Sequence, residues 1–156
     1  MAWSASKIFV STIEDMLENT TAMDLNTDSF KVALYDNDIT PDQTVASANT
    51  AFNAGQWASA GNEVFEAGQW ATGGVALSSV TSAFASNVYT FDAADTASGS
   101  AADLANVYGV LVYDDTIAAP VADQGICYLY FGGVNSVTDG TFTVVFNATG
   151  IFTLTL

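Results

Sequence analysis

The sequence predicts a mainly β protein: a single-domain antiparallel β-sandwich, or a jelly-roll-like fold, with one α-helix at its N-terminus. About seven short segments rich in β-branched and aromatic residues follow one another along the chain. Turn-forming residues separate them at the spacing typical of antiparallel sandwiches. After the first twenty residues no segment has a helical period, which argues against alternating strand–helix units. Half of the 156 residues are apolar, so residues 1–156 can form one domain around a core.

The first predicted element is a helix over residues 4–19, with Ser4 or Ser6 as its N-cap. Its acidic residues lie toward the C-terminal end and Lys7 lies near the start, which is unfavourable for the helix dipole. We therefore expect packing against the rest of the protein, rather than intrinsic preference, to hold the helix. Its apolar face consists of Phe9, Ile13, Met16 and Leu17.

The segment Phe30–Tyr35 alternates in the manner of a half-buried strand. Residues 43–61 are rich in alanine and serine and predict a long variable loop with one helical turn. Gly132 and Gly133 are expected to end a strand, and the dipeptide Asp139-Gly140 is a hairpin signal. The other strands outside the central one are predicted at Val75–Phe84, Asn87–Asp92, Ile126–Phe131, Thr141–Asn147 and Ile151–Leu156.

The stretch Asn106–Asp114 is the strongest strand prediction, and we expect it to be the central strand. A buried helix is the competing interpretation, but the apolar run is short and has Gly109 in its middle. Both sides of the extended chain are apolar, so the strand should be covered on two faces. One side carries Val107, Leu111 and Tyr113, and the other carries Tyr108, Val110 and Val112.

One internal repeat is present, because Phe52–Ala58 matches Phe65–Ala71 thirteen residues later. Two copies are too few for a solenoid, so they predict two similar turns with a tryptophan packed on each. The sharper hypothesis is a paired aromatic contact surface made by Trp57 and Trp70. Trp3 either fixes the start of the helix or is an exposed contact. Trp3, Trp57 and Trp70 are therefore the candidate protein-contact residues, since tryptophan is favoured at interface hot spots.

The charge balance is extreme. Seventeen acidic residues face only Lys7 and Lys31, the net charge is −15, and histidine and arginine do not occur. Neutralising phosphates requires lysine and arginine, so direct nucleic-acid binding is not expected and binding to an anionic membrane is disfavoured. The apolar runs are too short for a membrane helix, and we expect no signal peptide.

Asp24, Asn26 and Asp28 copy the opening of a calcium-binding loop. The copy ends there, because Ser29 and Tyr35 stand where such a loop needs glycine and glutamate. Turn formation before the next strand is the favoured interpretation. A second hypothesis places a hard cation at one rim of the sandwich, on Asp92, Asp95, Asp114, Asp115 and Asp123, against the alternative of ordinary surface acids.

No catalytic residue, cofactor or resident metal is predicted, and the protein is not expected to be an enzyme. Without histidine, neither a serine hydrolase nor an activated Cys127 has a base. Cys127 lies in an apolar strand and is expected to be a small core residue. No two carboxylates are paired as a glycosidase would require.

Four stretches spanning nearly the whole chain form a recognisable overall pattern. They are the helix with Asp24–Tyr35 and Thr40–Asp42; Asn62–Val64 with Gly73–Leu77; Phe91–Asp95 with Val107–Thr116; and Tyr130–Gly133, Gly140–Val144 and Gly150–Leu154. Together they resemble a family of small structural proteins of tailed bacteriophages and prophages. None is a catalytic signature, so the resemblance is one of overall pattern. The alanine-rich segment Val45–Gly61 departs from it, and contacts made there should be particular to this chain.

The resemblance implies a virion structural component, displayed on the capsid exterior as a decoration protein that stabilises the head. Its implied partner is the major capsid protein, with docking through the N-terminal helix or Met1–Ser6 ahead of it. We also expect a homo-oligomer, a trimer at symmetry axes of the shell. The alternatives are a tail-tube or tail-tip subunit, and a carbohydrate-binding β-sandwich module in which Trp57 and Trp70 stack on sugar rings.

Overall fold

The computed structural model describes residues 3–156 and has antiparallel sheets in a sandwich-like arrangement, with a helix near the N-terminus. The mainly β fold class is therefore confirmed. None of the helices among residues 3–156 has the length and apolar character needed to cross a membrane. In chain order the elements are β1 (Lys7–Ile8), α1 (Val10–Glu18), β2 (Phe30–Tyr35), α2 (Ser59–Asn62), β3 (Glu63–Val64), β4 (Val75–Ala76), β5 (Thr81–Ala85), β6 (Val88–Asp92), β7 (Thr96–Ala97), β8 (Ala102–Asp114), β9 (Gly125–Gly140), β10 (Thr143–Val144) and β11 (Phe152–Thr155).

The largest sheet has six strands in the order β1-β9-β8-β2-β3, and β4 also pairs with β2. A three-stranded sheet has the order β11-β6-β5, and a two-stranded sheet joins β10 to β7. Strand β8 contains the predicted segment Asn106–Asp114 and lies between β9 and β2. The expectation of a central strand there is confirmed.

The large sheet is covered on both faces, as its sequence predicts. Alternate residues of β2 and β8 belong to two separate groups of buried side chains, which we call the first core and the second core. Strand β2 is consequently more buried than the half-buried strand expected from its alternation. Val32, Leu34, Val110 and Val112 lie in the first core, and Ala33, Tyr35, Leu111 and Tyr113 lie in the second.

The predicted side of Val107 is wrong. The pairing of β8 with β9 shifts register between Val107 and Gly109, and Asn106 has a positive φ of 61°. This bulge turns Val107 into the first core, with Val110, and Tyr108 against the second core. Simple alternation cannot anticipate a bulge, because it assumes an unbroken ladder.

The helix is shorter than the predicted residues 4–19. Lys7 and Ile8 pair with β9, and the backbone N–H of Phe9 donates to Ile126 O, which holds this part of the chain extended. Phe9 occupies the N-cap position without a side-chain cap, so neither Ser4 nor Ser6 is the cap. The hydroxyl of Ser6 instead accepts a hydrogen bond from Tyr130 N at 3.0 Å. The proposed docking segment Met1–Ser6 lies partly outside the described residues, at positions 1 and 2.

Two predicted breaks differ in the structure. Gly132 and Gly133 do not end a strand, because β9 continues to Gly140 through an irregularity at this point. The dipeptide Asp139-Gly140 does not form a hairpin with the next strand, since β10 pairs with β7. The strand predicted over Thr141–Asn147 is reduced to the two residues of β10, which pair with the two residues of β7.

The strand predicted at Val75–Phe84 is divided between two sheets. Val75 and Ala76 pair with β2, whereas Thr81–Ala85 pairs with β6. The chain thus crosses from the large sheet to the three-stranded sheet within the segment.

Residues 43–61, predicted as a loop with one helical turn, contain 3-10 turns at Ser47–Asn49 and Gly55–Trp57 and part of α2.

Candidate functional site

The three tryptophans proposed as contact residues are fully buried, so the expectation that they form an exposed surface is wrong. Trp3 and Trp57 meet edge to face in the second core, with ring centroids 5.8 Å apart. The indole N–H of Trp3 donates to Asp36 O at 2.6 Å. Trp70 lies in the first core. All three therefore act as packing residues within the chain.

The repeat forms two similar turns with a tryptophan packed on each, as the modest interpretation predicts. The backbone N–H of Asn53 donates to Trp57 O at 3.1 Å, and that of Glu66 donates to Trp70 O at 2.8 Å. Because Trp57 lies in the second core and Trp70 in the first, the two rings are on opposite faces of the large sheet. The two copies of the turn cover opposite faces of the large sheet and form no paired aromatic surface.

The calcium-like segment is a turn that its own carboxylates stabilise. Asp24 Oδ1 accepts from Asn26 N at 2.9 Å, and Asp28 Oδ2 accepts from Asp24 N at 2.6 Å. The hydrogen bond from Asn26 N contributes most to holding the pKa of Asp24 below its ordinary value, and hydrogen bonds from Thr27 add to the effect. The favoured role of this segment, turn formation before β2, is confirmed.

The carboxylate side chains of the proposed acidic rim do not converge on one point. Among residues 3–156, no group of three or more cysteine, aspartate or glutamate side chains is placed to hold a metal ion. Asp115 pairs with Lys31 at 2.9 Å, and Asp95 Oδ1 accepts from Phe146 N at 2.9 Å. Asp114 is fully buried, and its Oδ1 accepts the backbone N–H groups of Thr116 and Ile117.

Asp114 is the most perturbed carboxyl group of the rim. Burial raises its pKa to about 7, the neighbouring carboxyl group of Asp28 adds to the increase, and the hydrogen bonds from Thr116 and Ile117 oppose it. Its second oxygen, Oδ2, is buried without a hydrogen-bond partner. The environment therefore favours a protonated, uncharged side chain at the end of β8.

Cys127 is a core residue, as predicted. The thiol is buried in the first core, and burial raises its pKa to about 12. At neutral pH the side chain is therefore an uncharged thiol, which is a poor nucleophile.

Helix α1 is turned so that two small polar residues face inward and two apolar residues are exposed. Its buried residues are Ser11 and Thr12, and the Thr12 hydroxyl donates to Gly125 O at 2.6 Å. Val10 is 51% exposed and Leu17 is 82% exposed. Val10, Ile13 and Leu17 follow the spacing i, i+3, i+7, so they form one stripe on the helix. The predicted apolar face is thus split, with Phe9 and Met16 packed on the cores and Leu17 left outside.

A second uncovered apolar area lies on the three-stranded sheet beside the helix. Leu154, Tyr89 and Phe84 are paired across β11, β6 and β5, so they form one row on one face. The inner end of this face is buried through Phe91, which meets Phe30 edge to face at 5.0 Å. The outer end is open, since Phe84 is 59% exposed and Leu156, two residues beyond Leu154, is 84% exposed.

These two areas meet at Leu154, which lines both of the grooves formed there. One groove of about 570 Å³ runs along α1, and the other, of about 550 Å³, lies between the end of α1 and the three-stranded sheet. We call the combined area the helix–strand surface. It consists of Val10, Ile13, Leu17, Phe84, Leu154 and Leu156.

Carboxylates border the helix–strand surface. Glu14 and Glu18 line the first groove, and Asp24 lines the second. The side chains of Glu14 and Glu18 make no hydrogen bond or ion pair within the described residues. The sequence carried a signal for this surface, because Val10, Ile13 and Leu17 define a stripe that overlaps the predicted one. What it lacked was the rotation of the helix about its axis.

Comparisons with protein-family models, with curated proteins and with solved structures find no match to this chain. The resemblance to phage structural proteins thus depends on the sequence stretches alone. The helix–strand surface is the largest uncovered apolar feature described above, and it lies at the grooves along α1 and the three-stranded sheet.

Proposed function

We propose that the protein is a virion structural component of a tailed bacteriophage, a decoration protein that binds the major capsid protein on the outside of the head. The helix–strand surface is the docking surface in this proposal. The observation that carries it is the orientation of α1, which buries Ser11 and Thr12 and leaves Val10 and Leu17 exposed. A helix arranged in this way suits a protein that completes its packing on a partner.

The helix–strand surface is suited to protein binding in both shape and energy. Two grooves of about 550 and 570 Å³ accept protruding side chains, and Leu17 and Leu156 can enter pockets on a partner. Fully burying a leucine side chain contributes about 1.5–3 kcal/mol. A few such contacts, repeated over many copies on a shell, would stabilise the head.

The use of carboxylates inside the protein also supports a structural role. Many of them accept backbone N–H groups, some closing turns and others joining distant parts of the chain, rather than gathering in a cleft. With only two lysines, the chain satisfies these acids through its own backbone. The bonds of this type run from Asp38 N to Asp36, Thr44 N to Asp42, Gly73 N to Glu63, Asp103 N to Glu66, Phe146 N to Asp95 and Thr116 N to Asp114.

Electron microscopy of virions with this protein labelled tests the proposal. We expect label over the whole head surface, at hundreds of copies per particle. Label confined to the tail would contradict a head decoration role and would favour the alternative below.

The alternative is a tail-tube or tail-tip subunit, and one feature of the large sheet favours it. Strand β1 covers the outer edge of β9 only at Tyr128 and Cys127. In the described chain, the edge of β9 beyond residue 130 has no strand paired to it, and a sheet edge of this kind can pair with a neighbouring subunit. Rings or tubes of purified protein in negative stain, lost when proline replaces Thr138, would support a tube subunit.

The carbohydrate-binding hypothesis loses its proposed platform. It required the rings of Trp57 and Trp70 to stack on sugars, and both are fully buried. We therefore do not propose sugar binding through these residues.

A further inference from the structure

We propose that the partner segment bound by the helix–strand surface carries apolar side chains flanked by lysine or arginine, and that a second copy of this chain is not the occupant. The inference rests on the proposed function in one respect, that this surface is a docking surface. It adds the chemistry of the partner, which the exposed apolar residues alone do not specify. Charge complementarity around the grooves is the observation that carries it.

Both grooves are bordered by negative charge. Glu14 and Glu18 lie on α1 beside the first groove, and both are exposed. Asp24 lies beside the second groove and is exposed to water. No ion pair within the described residues neutralises any of the three, since the ion pair present joins Lys31 to Asp115.

The dipole of α1 adds to this negative potential. The helix ends at Glu18, and no basic residue lies in its last turn. The C-terminal end of a helix carries partial negative charge, so Glu14 and Glu18 lie where cations would be favourable. The same two carboxylates are unfavourable in the isolated chain and become favourable when a cation approaches from a partner. An apolar segment with flanking lysine or arginine meets both features of the surface.

A second copy is a poor occupant because it would bring the same charges. A two-fold interface places the same patch on both sides, so Glu14, Glu18 and Asp24 would meet their own counterparts. Each copy carries a net charge of −15. Lys31 is engaged with Asp115, and Lys7 lies on β1 and does not line either groove. Any self-association is therefore expected through another part of the molecule.

Two synthetic peptides serve as probes. The first is an amphipathic peptide with leucines on one face and lysines at their flanks, and the second has glutamate in place of each lysine. Calorimetry measures their binding to the full chain at low and at physiological salt. We expect the lysine peptide to bind, the glutamate peptide not to bind, and the affinity to fall as salt screens the charges.

Variants distinguish groove binding from general attraction to an acidic protein. We expect Leu17→Asp to abolish lysine-peptide binding, and the double variant Glu14→Gln with Glu18→Gln to weaken it about tenfold. The matched control, Asp92→Asn with Asp139→Asn, removes two charges away from the grooves and should leave the affinity unchanged. An equal loss in the control, or equal binding of the glutamate peptide, would overturn the inference. A dimer in sedimentation that Leu17→Asp dissociates would also overturn it.

Binding to virion heads separates this inference from the proposed function. If the Glu14 and Glu18 double variant binds heads as tightly as the parent while Leu17→Asp does not, the partner chemistry is wrong and the docking surface stands. If Leu17→Asp binds heads as tightly as the parent, the docking surface itself is wrong.

Discussion

Asp114 places a carboxyl group in an environment that opposes its charge. Its folded-state pKa is raised to about 7 from an ordinary 3.8, chiefly by burial. Between these values the folded protein binds the proton more tightly than the unfolded chain. The contribution of Asp114 to stability is thus fully present below pH 3.8 and is lost as the pH rises toward about 7.

Replacing Asp114 by asparagine should stabilise the protein above neutral pH. The amide resembles the protonated acid and carries no charge to desolvate, so we expect a gain on the order of 1–3 kcal/mol at about pH 8. The gain should disappear at about pH 4, where the acid is itself protonated. Urea unfolding at both pH values measures it. Asp139→Asn, which removes an exposed charge, is the control, and a gain independent of pH would contradict the assigned environment.

Gly109 is required by close packing. A Cβ atom at this position would meet Leu129 O and would lie 2.5 Å from the ring of Trp3. We expect Gly109→Ala to lower the free energy of unfolding by about 1–3 kcal/mol, since the buried ring and the paired strand cannot both move aside. Chemical unfolding checks this. Gly133→Ala is the control, because a Cβ there has open space, and equal loss in both variants would exclude packing as the cause.

At the residue scale, sequence patterns predict the burial of a side chain in a strand better than that of a side chain in a turn. Cys127 was correctly expected in the core, since its neighbours along the strand are apolar. The hypothesis that Trp57 and Trp70 lie at the surface is wrong, and the alternative of a tryptophan packed on each turn is confirmed. The alanine- and glycine-rich segments around them have no period that points inward. Their burial depends on turns that fold back over the sheet, which is tertiary information.

At the scale of elements, local patterns located strands and failed where strands change partner. Strand β2 has the predicted bounds, Phe30–Tyr35, because its run is apolar and ends in turn residues. The prediction of one strand over Val75–Phe84 is wrong because the two halves of this segment join different sheets. The prediction that Gly132 and Gly133 end a strand is wrong because β9 continues beyond them and still pairs with β8.

Helix α1 illustrates a conflict between stability and binding that can be measured. Glu18 is exposed at the helix end, where a positive charge is preferred. We expect Glu18→Lys to stabilise the fold by about 0.3–1 kcal/mol and to weaken binding to heads. Thermal unfolding and co-sedimentation with heads measure the two effects. A stability loss of more than about 1 kcal/mol would mean that Glu18 makes a structural contact.

For the whole molecule, exposed apolar residues on the helix–strand surface should affect binding and not folding. Leu17 is 82% exposed, so we expect Leu17→Asp to change stability by no more than about 0.5 kcal/mol. Binding to heads should be lost, because a carboxylate would enter an apolar contact already bordered by acids. Val145→Asp, at a residue 70% exposed that lines neither groove of this surface, is the matched control and should bind normally.

The most direct measurement is a side-chain-resolution electron cryo-microscopy map of a decorated head. We expect α1 and β11 to face the capsid, with Leu17 and Leu156 buried and lysine or arginine of the capsid protein beside Glu14 and Glu18. A map in which these residues face solvent, or in which the protein occupies the tail, would contradict the proposed role.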